Sequence, residues 1–239
     1  LLNSTISGRA NRSQHSFVVN GLGKEIVTGA YACGTLLPGD VELAERYGVS
    51  RTVLREAMKT LTAKGMIVPK ARIGTRVTNR SNWNLFDADV LVWHIETGVD
   101  VTFLKHLTDM RYAIEPFAAR LAAERASKDE ISLLYACADE MSAADSNENF
   151  ALADLKFHLA LHGASGNPFM LSVGNLIEAA LVTSFKMSSP YGEADRHVAT
   201  ANRHRLIAEA IERRDPEAAS AAMEQVIKEG FERIFNKPL

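Results

Sequence analysis

Residues 36–58 read Leu36-Leu37-Pro38-Gly39-Asp40-Val41-Glu42-Leu43-Ala44-Glu45-Arg46-Tyr47-Gly48-Val49-Ser50-Arg51-Thr52-Val53-Leu54-Arg55-Glu56-Ala57-Met58, and residues 65–77 read Gly65-Met66-Ile67-Val68-Pro69-Lys70-Ala71-Arg72-Ile73-Gly74-Thr75-Arg76-Val77. The first stretch has the pattern of two short helices joined by a tight turn, the second that of a cationic β-hairpin. Leu43, Ala44 and Tyr47 form the apolar stripe of the first helix, and Gly48 lets the backbone turn sharply after it. Ser50 stands where it caps the second helix, whose apolar face is Val53, Leu54, Ala57, Met58 and Leu61. Arg51, Thr52, Arg55 and Lys59 fall away from that face. This is the layout of a helix-turn-helix whose second helix enters a DNA major groove.

From about Leu22 to Val77 the chain resembles the winged helix-turn-helix of GntR-family bacterial transcription regulators, most specifically in Ser50-Arg51-Thr52, Arg55-Glu56-Ala57 and the later Gly74-Thr75. The resemblance carries the family's base- and phosphate-contacting positions onto Arg51, Thr52, Arg55 and the wing-tip Gly74. Ser50 at the cap and Lys70, Arg72 and Thr75 around the cationic turn complete the expected DNA face. One departure stands out: many relatives have an arginine in a Pro-Ser-Glu-Arg-Glu-Leu pattern, whereas this chain has Pro38-Gly39-Asp40-Val41-Glu42-Leu43. Val41 cannot contact phosphate, so either one contact is missing or another basic residue supplies it.

Working outward, the 239 residues suffice for one large or two modest domains. The formal net charge of −2 hides an asymmetry: residues 1–80 hold 12 Lys+Arg against 5 Asp+Glu, and the remainder 15 against 24. A basic third on an acidic body implies that one end meets a polyanion. Cys33 and Cys137 fall in different expected domains, which fits a reduced, cytoplasmic protein. No apolar run reaches the roughly 18 residues that span a bilayer, so no membrane partner is expected. Residues 1–15 are polar and are expected to be a disordered arm, with 16–78 the winged helix-turn-helix and 79–98 a linker and connecting helix.

A helix from about Phe17 to Gly29 precedes the motif, and short β-type runs at Met66–Pro69 and Thr75–Thr78 flank the wing turn. From Asp87 onward nearly everything has helical periodicity. Helices are expected at Val99–Arg125, with Pro116 bending it, then from the capping box at Ser127-Lys128-Asp129-Glu130. Others are expected at Asn147–Gly163, Pro168–Met187, Asp195–Arg213 and Pro216–Phe235. The fold class is therefore mainly α, with an all-α bundle of six or seven helices over residues 99–235.

Asp154 and His158 are four residues apart and share a helix face with Phe150, Phe157 and Leu161, so both polar groups point toward the bundle interior. A buried carboxylate and imidazole need partners. A metal ion shared with a further histidine satisfies both, and His204, beside Ile207 and Ala208, is the natural third member. A plain helix-surface pair is the competing reading. His94, His106, His162 and His197 read as ordinary surface or core histidines.

Three segments, Asp154-x-x-Phe157-His158, Arg111-Tyr112-x-x-Glu115-Pro116 and His204-Arg205-x-Ile207, resemble the effector-binding FCD domain of the FadR branch over roughly residues 100–230. In metal-binding members an Asp, a His and two later histidines ligate, and Asp154, His158 and His204 match three of them. The fourth position is Val226 here, on an apolar stripe with Ala222, Met223 and Ile227. The resemblance thus implies a three-ligand divalent metal site, zinc or similar, completed by water or effector oxygen; a metal-free polar pocket is the alternative. Arg111 either pairs with Glu115 or grips an effector carboxylate bidentately, the role the family favours. Asn167, in Ser165-Gly166-Asn167-Pro168, either shapes a turn or hydrogen-bonds at the pocket rim.

Trp83-Asn84-Leu85-Phe86-Asp87-Ala88-Asp89-Val90-Leu91-x-Trp93 resembles the galactonate-responsive subgroup, which makes a sugar acid the implied effector. The function expected is that of a homodimeric, ligand-responsive repressor reading a palindromic operator. It is not expected to be an enzyme. A metal-dependent enzyme using Asp154, His158 and His204 is one rival, since two His and a carboxylate with open positions suit iron or zinc chemistry. A DNA-binding protein whose bundle only dimerises is the other.

Overall fold

The structure is a computed structural model that describes residues 14–98, 101–174 and 196–235, and these fall into two compact units divided between residues 99 and 100. In the N-terminal unit, α1 (Gln14–Val27), α2 (Asp40–Tyr47) and α3 (Arg51–Ala63) pack around Leu22, Ile26, Leu43, Leu54 and Leu61, all fully buried. α1 starts three residues before the expected Phe17. Gly48 closes α2 with φ 61, a left-handed conformation that glycine adopts without strain. Ser50 then caps α3, its side chain accepting from the Val53 N–H at 3.3 Å. Leu54, Ala57 and Leu61 are the buried stripe of α3, whereas Val53 and Met58 only border it, half-buried.

The wing is an antiparallel pair, β1 (Ile67–Lys70) and β2 (Gly74–Val77), registered Ile67↔Val77, Val68↔Arg76, Pro69↔Thr75 and Lys70↔Gly74. Thr75 also accepts from the Leu37 N–H at 2.8 Å, which stitches the segment before α2 to the hairpin. A short 3-10 turn (Arg80–Asn82) leads to α4 (Ala88–Glu96), which packs on α1. Both tryptophans of the expected aromatic anchor are buried in this unit. Lys64, at the C-terminal end of α3, lies 2.6 and 2.7 Å from the two Asp87 oxygens and 2.9 Å from Asp89, and Asp87 in turn caps α4.

The second unit contains α5 (Val101–Arg125), α6 (Lys128–Ser142), α7 (Asn147–Ala164), α8 (Arg196–Glu212) and α9 (Pro216–Phe235), with residues 168–174 also helical. The rest of the helix expected at Pro168–Met187 lies outside the described residues. α5 packs along α9 and α7, α6 packs against α7 and α8, and α8 packs against α9. The capping box holds: Glu130 donates its N–H to Ser127 Oγ at 3.2 Å, and its carboxylate accepts from the Ser127 N–H at 2.7 Å. The core is rich in alanine along α5 (Ala118, Ala119, Ala122, Ala123), which lets the helices approach closely around Phe150, Phe157 and Met223. Strands occur only in the wing among the described residues, and no helix there is long and apolar enough to cross a membrane.

Candidate metal centre and nucleic-acid face

Asp154 and His158 project from successive turns of α7, and His204 projects from α8 toward them. All three are buried, and one ligand atom from each lies within 4.8 Å of the others. Asp154 Oδ1 is 3.3 Å from His158 Nε2 and 3.0 Å from His204 Nε2. Donors bound to one zinc at roughly 2.0–2.1 Å in a tetrahedron sit about 3.3 Å apart, so this spacing suits a shared ion. Asp154 Oδ1 and His204 Nε2 also have no well-formed hydrogen bond, although both are fully enclosed. A buried polar atom in that state is rare and calls for a partner. The donor set fits a divalent cation.

The opposite ring nitrogens are held in place. His204 Nδ1 lies 2.9 Å from the Thr200 carbonyl one turn earlier, and that contact turns Nε2 toward Asp154. His158 Nδ1 lies 2.6 Å from Glu115 Oε2. Glu115, on α5, accepts from Arg111 Nε at 2.7 Å and from a terminal Arg111 nitrogen at 3.3 Å. The chain Arg111–Glu115–His158–Asp154–His204 is thus continuous and buried, with Arg111 5 % and Glu115 1 % exposed. A carboxylate behind a ligating imidazole orients the ring and raises its basicity. Phe157 stacks edge-on against His204 at 4.9 Å, fixing that ring from the side.

Burial opposes ionisation of Asp154, yet His158 and His204 outweigh it and hold the carboxyl far below the ordinary range. Burial likewise works against charge on Glu115, and Arg111 and His158 outweigh it. Burial would lower His158, but Glu115 and Asp154 drive it above the usual histidine value. The centre therefore carries two carboxylates around one imidazole, an arrangement that binds either a proton or a cation.

Arg111 stands where the pairing reading put it, on Glu115. Asn167 shapes the turn: its side-chain oxygen accepts from the Phe169 N–H at 3.0 Å, and its own N–H donates to Ser165 Oγ at 3.2 Å. Val226 is buried in the apolar core cluster with Met223 and Ile227. Sequence reasoning missed the link from Glu115 to His158; the Arg111-x-x-x-Glu115 spacing signalled the pair but not the histidine on another helix. His162, read from the sequence as an ordinary surface or core histidine, lies one turn beyond His158 and is fully buried, and burial keeps it below the usual histidine range.

On the first unit, Arg51, Thr52, Arg55 and Lys59 are exposed along the outer side of α3. Arg55, Lys59 and Thr75 line an open cleft of about 510 Å³ between α3 and the wing, together with Asp40 and Met58. Ser50 is occupied in capping. Lys70, Arg72 and Gly74 are exposed at the wing tip, and the same cleft joins Pro69 and Thr75 of the wing strands to the outer face of α3.

The sequence model of the bacterial regulatory proteins of the gntR family matches residues 14–77, and that of the FCD domain matches residues 106–229. The chain is 36% identical over 210 residues to the uncharacterized HTH-type transcriptional regulator YieP of Escherichia coli strain K12, covering 87% of this chain and 89% of that one. It is 32% identical over 218 residues to the galactonate operon transcriptional repressor of the same strain, covering 91% and 95%. The solved structure of Lar, described as controlling expression of the Listeria monocytogenes agr system, aligns with a TM-score of 0.65. It is 21% identical and covers 96% of this chain and 100% of that chain, a likeness that speaks for the fold alone.

Proposed function

The chain belongs to the GntR family of bacterial regulatory proteins, its second unit being an FCD domain, and from that premise we propose how its buried centre controls DNA binding. The protein is a ligand-responsive, DNA-binding transcription regulator. We assign it the role of a homodimeric repressor whose two α3 helices read the half-sites of a palindrome. Its effector is a carboxylate metabolite of the sugar-acid class, received at Asp154, His158 and His204. The convergence of these three enclosed donors beneath the Arg111–Glu115 pair is the observation that carries the reading.

A divalent ion at the three donors, when bound, supplies a fixed positive charge that anchors an anionic oxygen. With Val226 giving no fourth donor, the remaining coordination is left to water or effector. Glu115 keeps His158 oriented, and Arg111 holds Glu115 and adds positive potential around the effector carboxylate. Asn167 shapes the turn that follows α7. Effector binding then shifts the population between a DNA-competent state and one of lower affinity, a coupling of about 1–3 kcal/mol. The name of the galactonate repressor, a relative matched nearly end to end, supports D-galactonate as the first acid to try.

Asp154→Ala tests the centre. Elemental analysis of the purified full-length protein should find stoichiometric metal in the wild type and none in the variant, and D-galactonate should no longer release operator DNA from the variant. Equal metal content in the two proteins would refute the ligand assignment. On the DNA side, Arg55→Ala should weaken operator binding by about 1–3 kcal/mol, roughly 5- to 150-fold. Its melting temperature should stay unchanged, because the side chain is exposed. Anisotropy titrations at matched salt decide it, and unchanged affinity would remove Arg55 from the DNA face.

A further inference from the structure

His162 is a polar side chain that the fold encloses and leaves unused. It is 0 % exposed on α7, and neither ring nitrogen has a hydrogen-bond partner among the described residues. The Met170 backbone approaches the ring and favours its charged form, but short of hydrogen-bonding geometry. His204, by contrast, has its Nδ1 anchored 2.9 Å from the Thr200 carbonyl. Burying a polar group without a partner costs stability, and such a group in a native fold calls for a reason.

Position supplies the reason. Asp154, His158 and His162 follow one another at intervals of four and are all buried, so they form one stripe along the inner face of α7. An α-helix rises 1.5 Å per residue, which sets His162 roughly 6 Å beyond His158 and roughly 12 Å beyond Asp154. His162 is thus too far along the helix to share an ion with Asp154, in keeping with a donor group made of Asp154, His158 and His204. It still belongs to the same polar interior, where Glu115, His158 and Arg111 all act on it electrostatically. A Cβ on Gly174 would lie 3.3 Å from its ring Cγ and Cδ2, so the carbon side of the ring meets that segment. Burial keeps the imidazole neutral, and a neutral imidazole offers one donor and one acceptor. That pair matches a hydroxyl, which also both donates and accepts.

We propose that His162 is a specificity residue of the effector site, bonding a ligand hydroxyl about one helical turn away from the carboxylate that the three donors anchor. The effector is then a polyhydroxy acid long enough to reach from the centre to His162, and short acids without distal hydroxyls bind less tightly. The inference rests on the reading of the second unit as an acid-binding domain and adds recognition of chain length and hydroxylation to it.

Calorimetric titration of zinc-loaded, full-length protein tests this, with D-galactonate and D-gluconate as long acids and lactate as a short acid with the same 2-hydroxy acid head. Wild type should bind at least one long acid about tenfold tighter than lactate. His162→Leu should erase that margin, weakening the long acid roughly tenfold while leaving lactate unchanged. His162→Gln keeps a donor and an acceptor and should restore part of it. Zinc content should match wild type in both variants. Without ligand, His162→Leu should melt above wild type, because an unpaired polar group has left the core.

Undiminished long-acid affinity in His162→Leu, or a lower melting temperature with a parallel loss for all three acids, overturns the assignment of His162 and leaves the acid-binding reading standing. A wild type that binds lactate as tightly as the long acids overturns it too. If wild type binds none of the acids, both fall together.

Discussion

Replacing Glu115 with alanine is expected to destabilise the C-terminal unit by about 3–5 kcal/mol and to lower its zinc affinity roughly 10- to 100-fold. Glu115 touches both Arg111 and His158, and all three are buried. Its removal strands a guanidinium without its bidentate partner and frees His158 Nδ1 from the contact that orients the ring. Exchanging the whole pair is different, because apolar residues of similar volume need no counter-charge. Arg111→Met combined with Glu115→Leu should therefore recover much of the stability that Glu115→Ala loses, without recovering zinc affinity.

The pH dependence follows from the same contacts. Glu115 has a depressed folded pKa, so its contribution is present above the unfolded value near ~4.3 and is lost as pH falls through the folded one. His158 has a raised folded pKa, so its contribution is complete below about 6.5 and is lost as pH rises through the folded value. Metal-free Glu115→Ala should show a flatter stability profile at both ends. Denaturant midpoints across pH and zinc titration measure all of this. A midpoint equal to wild type would mean that the buried chain does not hold the bundle together.

Trp93→Ala is expected to cost the N-terminal unit about 3–5 kcal/mol and, with it, DNA binding at growth temperature. Trp93 is fully buried, its indole N–H donates to Asn20 Oδ1 at 2.9 Å, and Lys64 Nζ lies 5.8 Å from a ring centroid. A Cβ on Gly23 would come within 2.4 Å of the ring, so α1 accepts the indole only where its own side chain is absent. Truncation opens a cavity between α1 and α4 that the glycine face cannot refill. The metal content of the C-terminal unit should be unaffected. Calorimetry together with elemental analysis separates the two: a melting profile indistinguishable from wild type would mean that α4 contributes nothing to the DNA-binding unit.

Much of this architecture is local and was legible along the chain. The stripe on α2, the Gly48 turn, the Ser50 cap and the Ser127–Glu130 box each depend on residues within a few positions of one another. Helical period also told inward from outward, which is why Asp154, His158 and His204 could be singled out and why Arg51, Thr52 and Arg55 emerged exposed. The limits were local as well. Val53 and Met58 have the right period for the buried face but lie at its borders, because exposure there depends on neighbouring elements rather than on the helix itself.

What the residue order determined by itself is the mainly helical fold, the basic reader at its amino end and the inward placement of Asp154, His158 and His204, because period, caps and charge act over a turn or two of chain. Tertiary packing alone decided that Glu115 turns from Arg111 to His158, that Trp93 fits against the bare backbone of Gly23, and that His162 is enclosed with neither ring nitrogen paired. Those outcomes depend on distances between helices brought together by burial of their apolar faces, and no spacing within a single helix encodes them.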